Sequence, residues 1–152
     1  MTAKDYLRRI RGMELDLRTI EGEIVELETA LTKATPSYQT DGWVNSSSSN
    51  DKMTDGVCKL IAKKREYEKA WDALIDERDR AERMLYMIDN RIHATVLWEH
   101  YIKARKFEYI AVKLDISYRQ LMRIHGYGLE DFRKIYEKMA QHGTLIGDNM
   151  RS

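Results

Sequence analysis

The chain has 152 residues and weighs 18.0 kDa, which suits one domain or a small domain with an extended helical arm. With 34% charged residues, one proline and a formal net charge of +1, the composition favours long helices over a sandwich or barrel, and the overall charge selects no partner. Cys58 is the only cysteine, no apolar run approaches the roughly 20 residues of a membrane span, and Met1–Arg11 lacks a signal-peptide core; a soluble, cytoplasmic protein without disulfide or membrane anchor is predicted.

The first element is the most periodic. Tyr6, Ile10, Met13, Leu17, Ile20, Ile24, Leu27 and Leu31 recur at alternating steps of four and three, the stripe of a coiled-coil seam. Thr2 and Asp5 have the spacing of a capping box, so a helix is predicted from about Ala3 to Lys33. From Ala34 to Thr54 come Pro36, Gly42 and the run Asn45–Asn50, whose side chains compete with helix for backbone bonds; a flexible linker is predicted over 34–54. A second long helix is expected to start at Thr54 or Asp55. Its stripe is Val57, Leu60, Tyr67, Trp71, Leu74, Ala81, Leu85 and Ile88, interrupted by Lys64 and Arg78. Antiparallel pairing of the two helices is the simplest arrangement, and the long linker also permits pairing between chains. Residues 1–90 are thus expected to form a helical hairpin or coiled-coil arm that mediates self-association as a homodimer or higher oligomer.

After Asn90 the elements shorten. Ile92, Val96, Trp98 and Tyr101 mark a helix of about three turns, and Lys103–Lys106 a basic turn. Phe107–Leu114 reads as a short helix, Asp115-Ile116 as a tight turn, and Ser117 as the cap of a helix to about Met139; residues 141–152 read as a tail. Residues 91–140 hold ten basic against six acidic side chains, a net +4, whereas 1–90 hold 15 against 18, a net −3. A basic module therefore follows a mildly acidic one.

Counting Phe107 as position one, apolar or small residues fall at four (Ile110), five (Ala111), eight (Leu114), ten (Ile116), fifteen (Leu121) and eighteen (Ile124). These are the offsets at which a helix-turn-helix buries side chains. Position nine, often glycine, is Asp115. A plain three-helix core also satisfies the apolar pattern, and Arg119, Gln120 and Arg123 also suit an ordinary solvated face. No zinc spacing, phosphate-binding glycine loop or Ser/His/Asp signature occurs, so no enzyme, metal or cofactor is expected. His93 and His100 lack further ligands at suitable spacing, and Cys58 is expected to be a buried, inert thiol.

The segment from Arg91 to Met139, with Asp115-Ile116-Ser117 followed by Leu121, Ile124 and Gly128-Leu129, resembles the promoter-reading region 4 of bacterial primary sigma factors. With the opening MTAKDYLRRI, the helical arm and the stretch ISYRQLMRIHGYGL, the chain resembles phage-encoded late-transcription regulators of the ArpU/RinA type. The resemblance implies an all-α fold with a C-terminal helix-turn-helix domain over 91–140, sequence-specific binding of double-stranded DNA, and possible contact with RNA polymerase. By position it implies base contacts from Tyr118, Arg119, Gln120, Met122 and Arg123. Phosphate contacts would come from Ser117, Lys103, Arg105, Lys106 and Lys113. Where the family has alanines this chain has Gly126 and Gly128, which predicts a bend after Ile124 or ordering of the helix only on DNA. Two other classes fit the same features: a small terminase subunit of phage DNA packaging, and a coiled-coil adaptor that binds only protein.

Overall fold

A computed structural model of the protein describes residues 1–33 and 46–143; residues 34–45 of the linker predicted over 34–54, and residues 144–152 of the tail predicted over 141–152, lie outside the described residues. Among these are five α-helices, one π-helical turn and no strand. The helices are α1 (Ala3–Lys33), α2 (Ser46–Tyr86), α3 (Arg91–Leu97), α4 (Phe107–Leu114) and α5 (Tyr118–Gln141), with the π turn at Trp98–Ile102. The protein is all-helical. No helix among the described residues is long and apolar enough to cross a membrane.

The capping box forms as expected. Asp5 N–H donates to Thr2 Oγ1 at 3.1 Å, and the Thr2 hydroxyl donates back to the Asp5 carboxylate at 2.6 Å. That bond holds the Asp5 carboxyl below its usual range. The start of α2 differs from expectation. The helix begins at Ser46, not at Thr54 or Asp55, so the serine run is helical. Extending an existing helix adds one hydrogen bond per residue ordered, and only nucleation is costly. Serine's penalty of about half a kcal/mol per residue is therefore carried by the long helix behind it.

Contacts divide the chain into two compact units. One is Asp16–Ala73; the other combines Met1–Leu15 with the chain from Leu74 onward. The sequence reading placed a boundary at residue 90, whereas α1 and α2 here contribute to both units.

In Asp16–Ala73, α1 and α2 run antiparallel within one chain. Gly56 faces Leu31, where a Cβ would sit 2.9 Å from Leu31 Cδ2. Lys63 bridges to Glu23 and Lys64 to Glu28, at 2.5 and 3.1 Å. Leu60, Tyr67, Ile20, Ile24, Leu27 and Leu31 are half-buried. Two side chains expected in this seam, Val57 and Trp71, stand 42% and 39% exposed, one step round the helix from the buried row. Cys58 is likewise exposed, contrary to its expected burial, because at about 100° per residue it lies on the side of α2 nearly opposite the row of Leu60 and Tyr67.

The second unit holds most of the buried core. Tyr6, Leu7 and Ile10 of α1 and Leu74, Ala81, Met84 and Leu85 of α2 are buried, as are Val96, Leu97, Tyr101, Ile102, Ile110, Leu121 and Phe132. Tyr6 ties α1 to both α2 and α5. Its hydroxyl donates to the Glu77 carbonyl at 3.2 Å, and its ring lies 6.5 Å from Phe132 and 5.3 Å from Tyr136. A short three-helix module has too little surface to bury its own apolar faces, and the ends of α1 and α2 supply the missing cover.

Candidate nucleic-acid interface

α4 ends on a left-handed residue. Asp115 takes φ 53° and ψ 49°, the conformation that glycine adopts most easily. Its N–H donates to the Val112 carbonyl at 3.2 Å, and Ile116 N–H to the Ala111 carbonyl at 3.1 Å. This is the bond pair of a Schellman stop. Ser117 then takes an extended backbone, and its Oγ accepts from Gln120 N–H at 3.1 Å to start α5. Ile110, Ala111 and Leu121 form one small core with Val96; Phe107, Leu114, Ile116, Met122 and Ile124 pack around it.

That packing sorts the residues singled out on α5. Tyr118, Arg119, Gln120 and Arg123 are exposed on its first turns. Met122 is half-buried against the core. α5 is helical through Gly126 and Gly128, from Tyr118 to Gln141. Gly128 is where α3 approaches α5. A Cβ there would lie 3.2 Å from the His93 carbonyl and 3.2 Å from Leu97 Cγ. The glycine that weakens the isolated helix is what lets the two helices meet. At Gly126 a Cβ meets nothing within 4 Å.

The basic turn is held from below. Lys103 N–H and Arg105 N–H bond back to the Trp98 and Glu99 carbonyls at 3.0 and 2.9 Å, closing the π turn, and Ala104 sits at φ 53°. His100 Nδ1–H donates to the Arg105 carbonyl at 2.8 Å, and its ring stacks on Phe107 at 3.8 Å. The cations above this frame are partly engaged. Lys103 lies over the Trp98 ring and Arg105 over the Tyr109 ring, each at 4.8 Å, while Lys106 is exposed at the start of α4. Lys113 bonds to Glu99, whose carboxylate is buried. Phosphate contact by Lys113 therefore competes with neutralising that acid.

Sequence reasoning passed over one basic cluster. Lys4, Arg8 and Arg11 of α1 line an open cavity with His100, Tyr101, Phe107 and His125. No carboxylate lines it, and Arg11 Nε is buried with no hydrogen-bond partner among the described residues. Spacing puts the three cations on one face of α1, which is legible in the sequence. Their neighbours more than 80 positions away are not. His125 shares a 2.9 Å hydrogen bond with the Tyr101 hydroxyl. Burial, with His100, Lys4 and Arg8 adding to it, pushes His125 down to about 4, and burial also lowers His100. His93 pairs with Asp131 at 2.6 Å.

No family model matches the chain, and no curated protein and no solved structure shows significant similarity to it.

Proposed function

We propose that the protein is a sequence-specific DNA-binding transcription regulator of phage or prophage type, reading the major groove with α5 of a helix-turn-helix made by α4 and α5. The observation that carries this reading is the start of α5: Leu121 is buried in the core while Tyr118, Arg119, Gln120 and Arg123 point outward from the same turns. Arg123 and Arg119 can each donate two bonds to guanine O6 and N7, and Gln120 can pair with adenine. Ser117, Lys103, Arg105, Lys106 and Lys113 are the phosphate candidates. The face of Lys4, Arg8 and Arg11 adds three further cations in the same compact unit, Arg8 lying 3.9 Å from the Asp5 carboxylate.

The partners under this reading are double-stranded DNA, a second copy of the chain through residues 1–90, and RNA polymerase, in the cytoplasm of a bacterial host. The reading requires no cofactor or catalytic group.

Fluorescence anisotropy with fragments from the protein's own genomic neighbourhood and with random DNA, at two salt concentrations, tests it. Tight, fragment-selective, salt-weakened binding is expected. Arg123→Ala should lose selectivity by about 1–3 kcal/mol, while Lys106→Ala or Arg8→Ala should weaken all DNA alike and lower the salt slope by about one. No binding at low salt overturns the reading in favour of a protein-only adaptor.

A further inference from the structure

Along α2, the positions 57, 61, 64, 68, 71 and 75 follow one another at steps of four, three, four, three and four. They hold Val57, Ile61, Lys64, Glu68, Trp71 and Ile75. The four apolar members are 42%, 47%, 39% and 44% exposed in chain order, and the lysine and glutamate are exposed as well. This is a second coiled-coil stripe, one step round the helix from the row that faces α1. Its members Val57 to Trp71 lie in a unit where Leu17 is the only apolar residue classed as buried among those described, and Ile75 follows on the same helix just beyond that unit; a stripe so exposed needs a partner.

The order of side chains identifies that partner. The stripe is complementary to itself when reversed. Laid antiparallel about a two-fold axis at position 66, Val57 faces Ile75, Ile61 faces Trp71, and Lys64 faces Glu68, each pair occurring twice. Every residue thus meets one of its own kind or of opposite charge, and the alternating steps place the layers as antiparallel coiled coils require. Moving the register by one heptad sets Lys64 against Ile75 or Ile61, and Glu68 against Trp71 or Val57. A parallel in-register pair sets Lys64 on Lys64 and Glu68 on Glu68. One arrangement alone satisfies all six positions.

We propose that this face of α2 pairs antiparallel with the same face of a second copy, in the register that joins Ile61 to Trp71 and Lys64 to Glu68. The interface is isologous, so two-fold symmetry closes it at a dimer. It brings the neighbouring row of Leu60, Tyr67 and Leu74 next to its symmetry mate, so that two hairpins share one interior. The proposal stands whether or not the protein binds DNA.

Two experiments on the full chain test it. Light scattering should give twice the 18.0 kDa chain mass for the wild type. Lys64→Glu should weaken the dimer tenfold or more, and Lys64→Glu combined with Glu68→Lys should restore it. Because Lys64 also bridges to Glu28, circular dichroism at equal concentrations checks that each variant stays helical, and restoration by the second change cannot arise from that internal bridge. For register, a Cys58→Ser chain with Ile61→Cys is mixed with a Cys58→Ser chain with Trp71→Cys. A disulfide dimer is expected in the mixture and in neither chain alone. A wild-type monomer, dimerisation unaffected by charge reversal, or cross-linking of either chain alone overturns the proposal.

Discussion

Asp115 is the clearest case of one residue carrying a turn. Its αL backbone suits glycine better than any residue with a Cβ, yet the stop that orients α4 against α5 forms on an aspartate. Asp115→Gly should therefore raise stability by about 0.5–1 kcal/mol, read as a higher urea midpoint at unchanged slope. A lower midpoint would mean that the aspartate side chain contributes more than its backbone costs. Lys113 presents the opposite situation. It is the cation bonded to the buried carboxylate of Glu99, itself only 4% exposed. Lys113→Met leaves a charge without its partner. Fully buried pairs lose 3–5 kcal/mol, and the half-exposed lysine reduces this to about 1–3 kcal/mol. Adding Glu99→Gln should recover most of the loss in the same unfolding measurement.

Among the elements, α5 shows how tertiary contact reverses a local preference. Two glycines in one helix read as a weak point in sequence. In the fold they differ: Gly126 is open and Gly128 is enclosed by the His93 carbonyl and Leu97. Gly126→Ala should stabilise by up to about 1 kcal/mol through helix propensity alone. Gly128→Ala should destabilise by about 1–3 kcal/mol, since its new Cβ presses on a backbone carbonyl that cannot swing aside. Melting temperatures of the two variants should move in opposite directions, and equal rises would refute the close approach of α3 and α5. Helices α3, α4 and α5 begin and end near where the spacing and caps put them. The π turn at Trp98–Ile102 was not legible, because it arises from the bonds of Lys103 and Arg105 to carbonyls behind them.

Taken as a whole, the unit around α4 and α5 gains a pH dependence from His125, and His100, also lowered by burial, adds to it in the same direction. Burial holds the His125 ring neutral, and the cations Lys4 and Arg8 with neighbouring His100 reinforce this. Its value falls from the ordinary 6.5 to about 4 on folding. Below 6.5 the unfolded chain takes up a proton that the folded chain refuses. The stability from this group is complete above that value and is lost as pH falls towards about 4, at no more than about 1.4 kcal/mol per pH unit. The melting temperature should thus fall from pH 7 to pH 5, and His125→Gln should reduce that fall. An identical fall in both proteins would assign the effect to other groups.

The sequence by itself determined the helical class, the seam of α1, the capping box, the bounds of α4 and the Ser117 start of α5, because periodicity and capping are local and need no partner. It also named Tyr118, Arg119, Gln120 and Arg123, which are exposed on α5, together with Met122, which the fold half-buries against the core. Tertiary structure alone decided the rest. It placed Met1–Leu15 with the C-terminal helices, turned Val57 and Trp71 outward, gave Gly128 its purpose, and set Lys4, Arg8 and Arg11 beside His100 and His125. Each of these depends on which distant surface covers a side chain, and in a chain whose helices are amphipathic on more than one side, spacing alone does not choose among the faces.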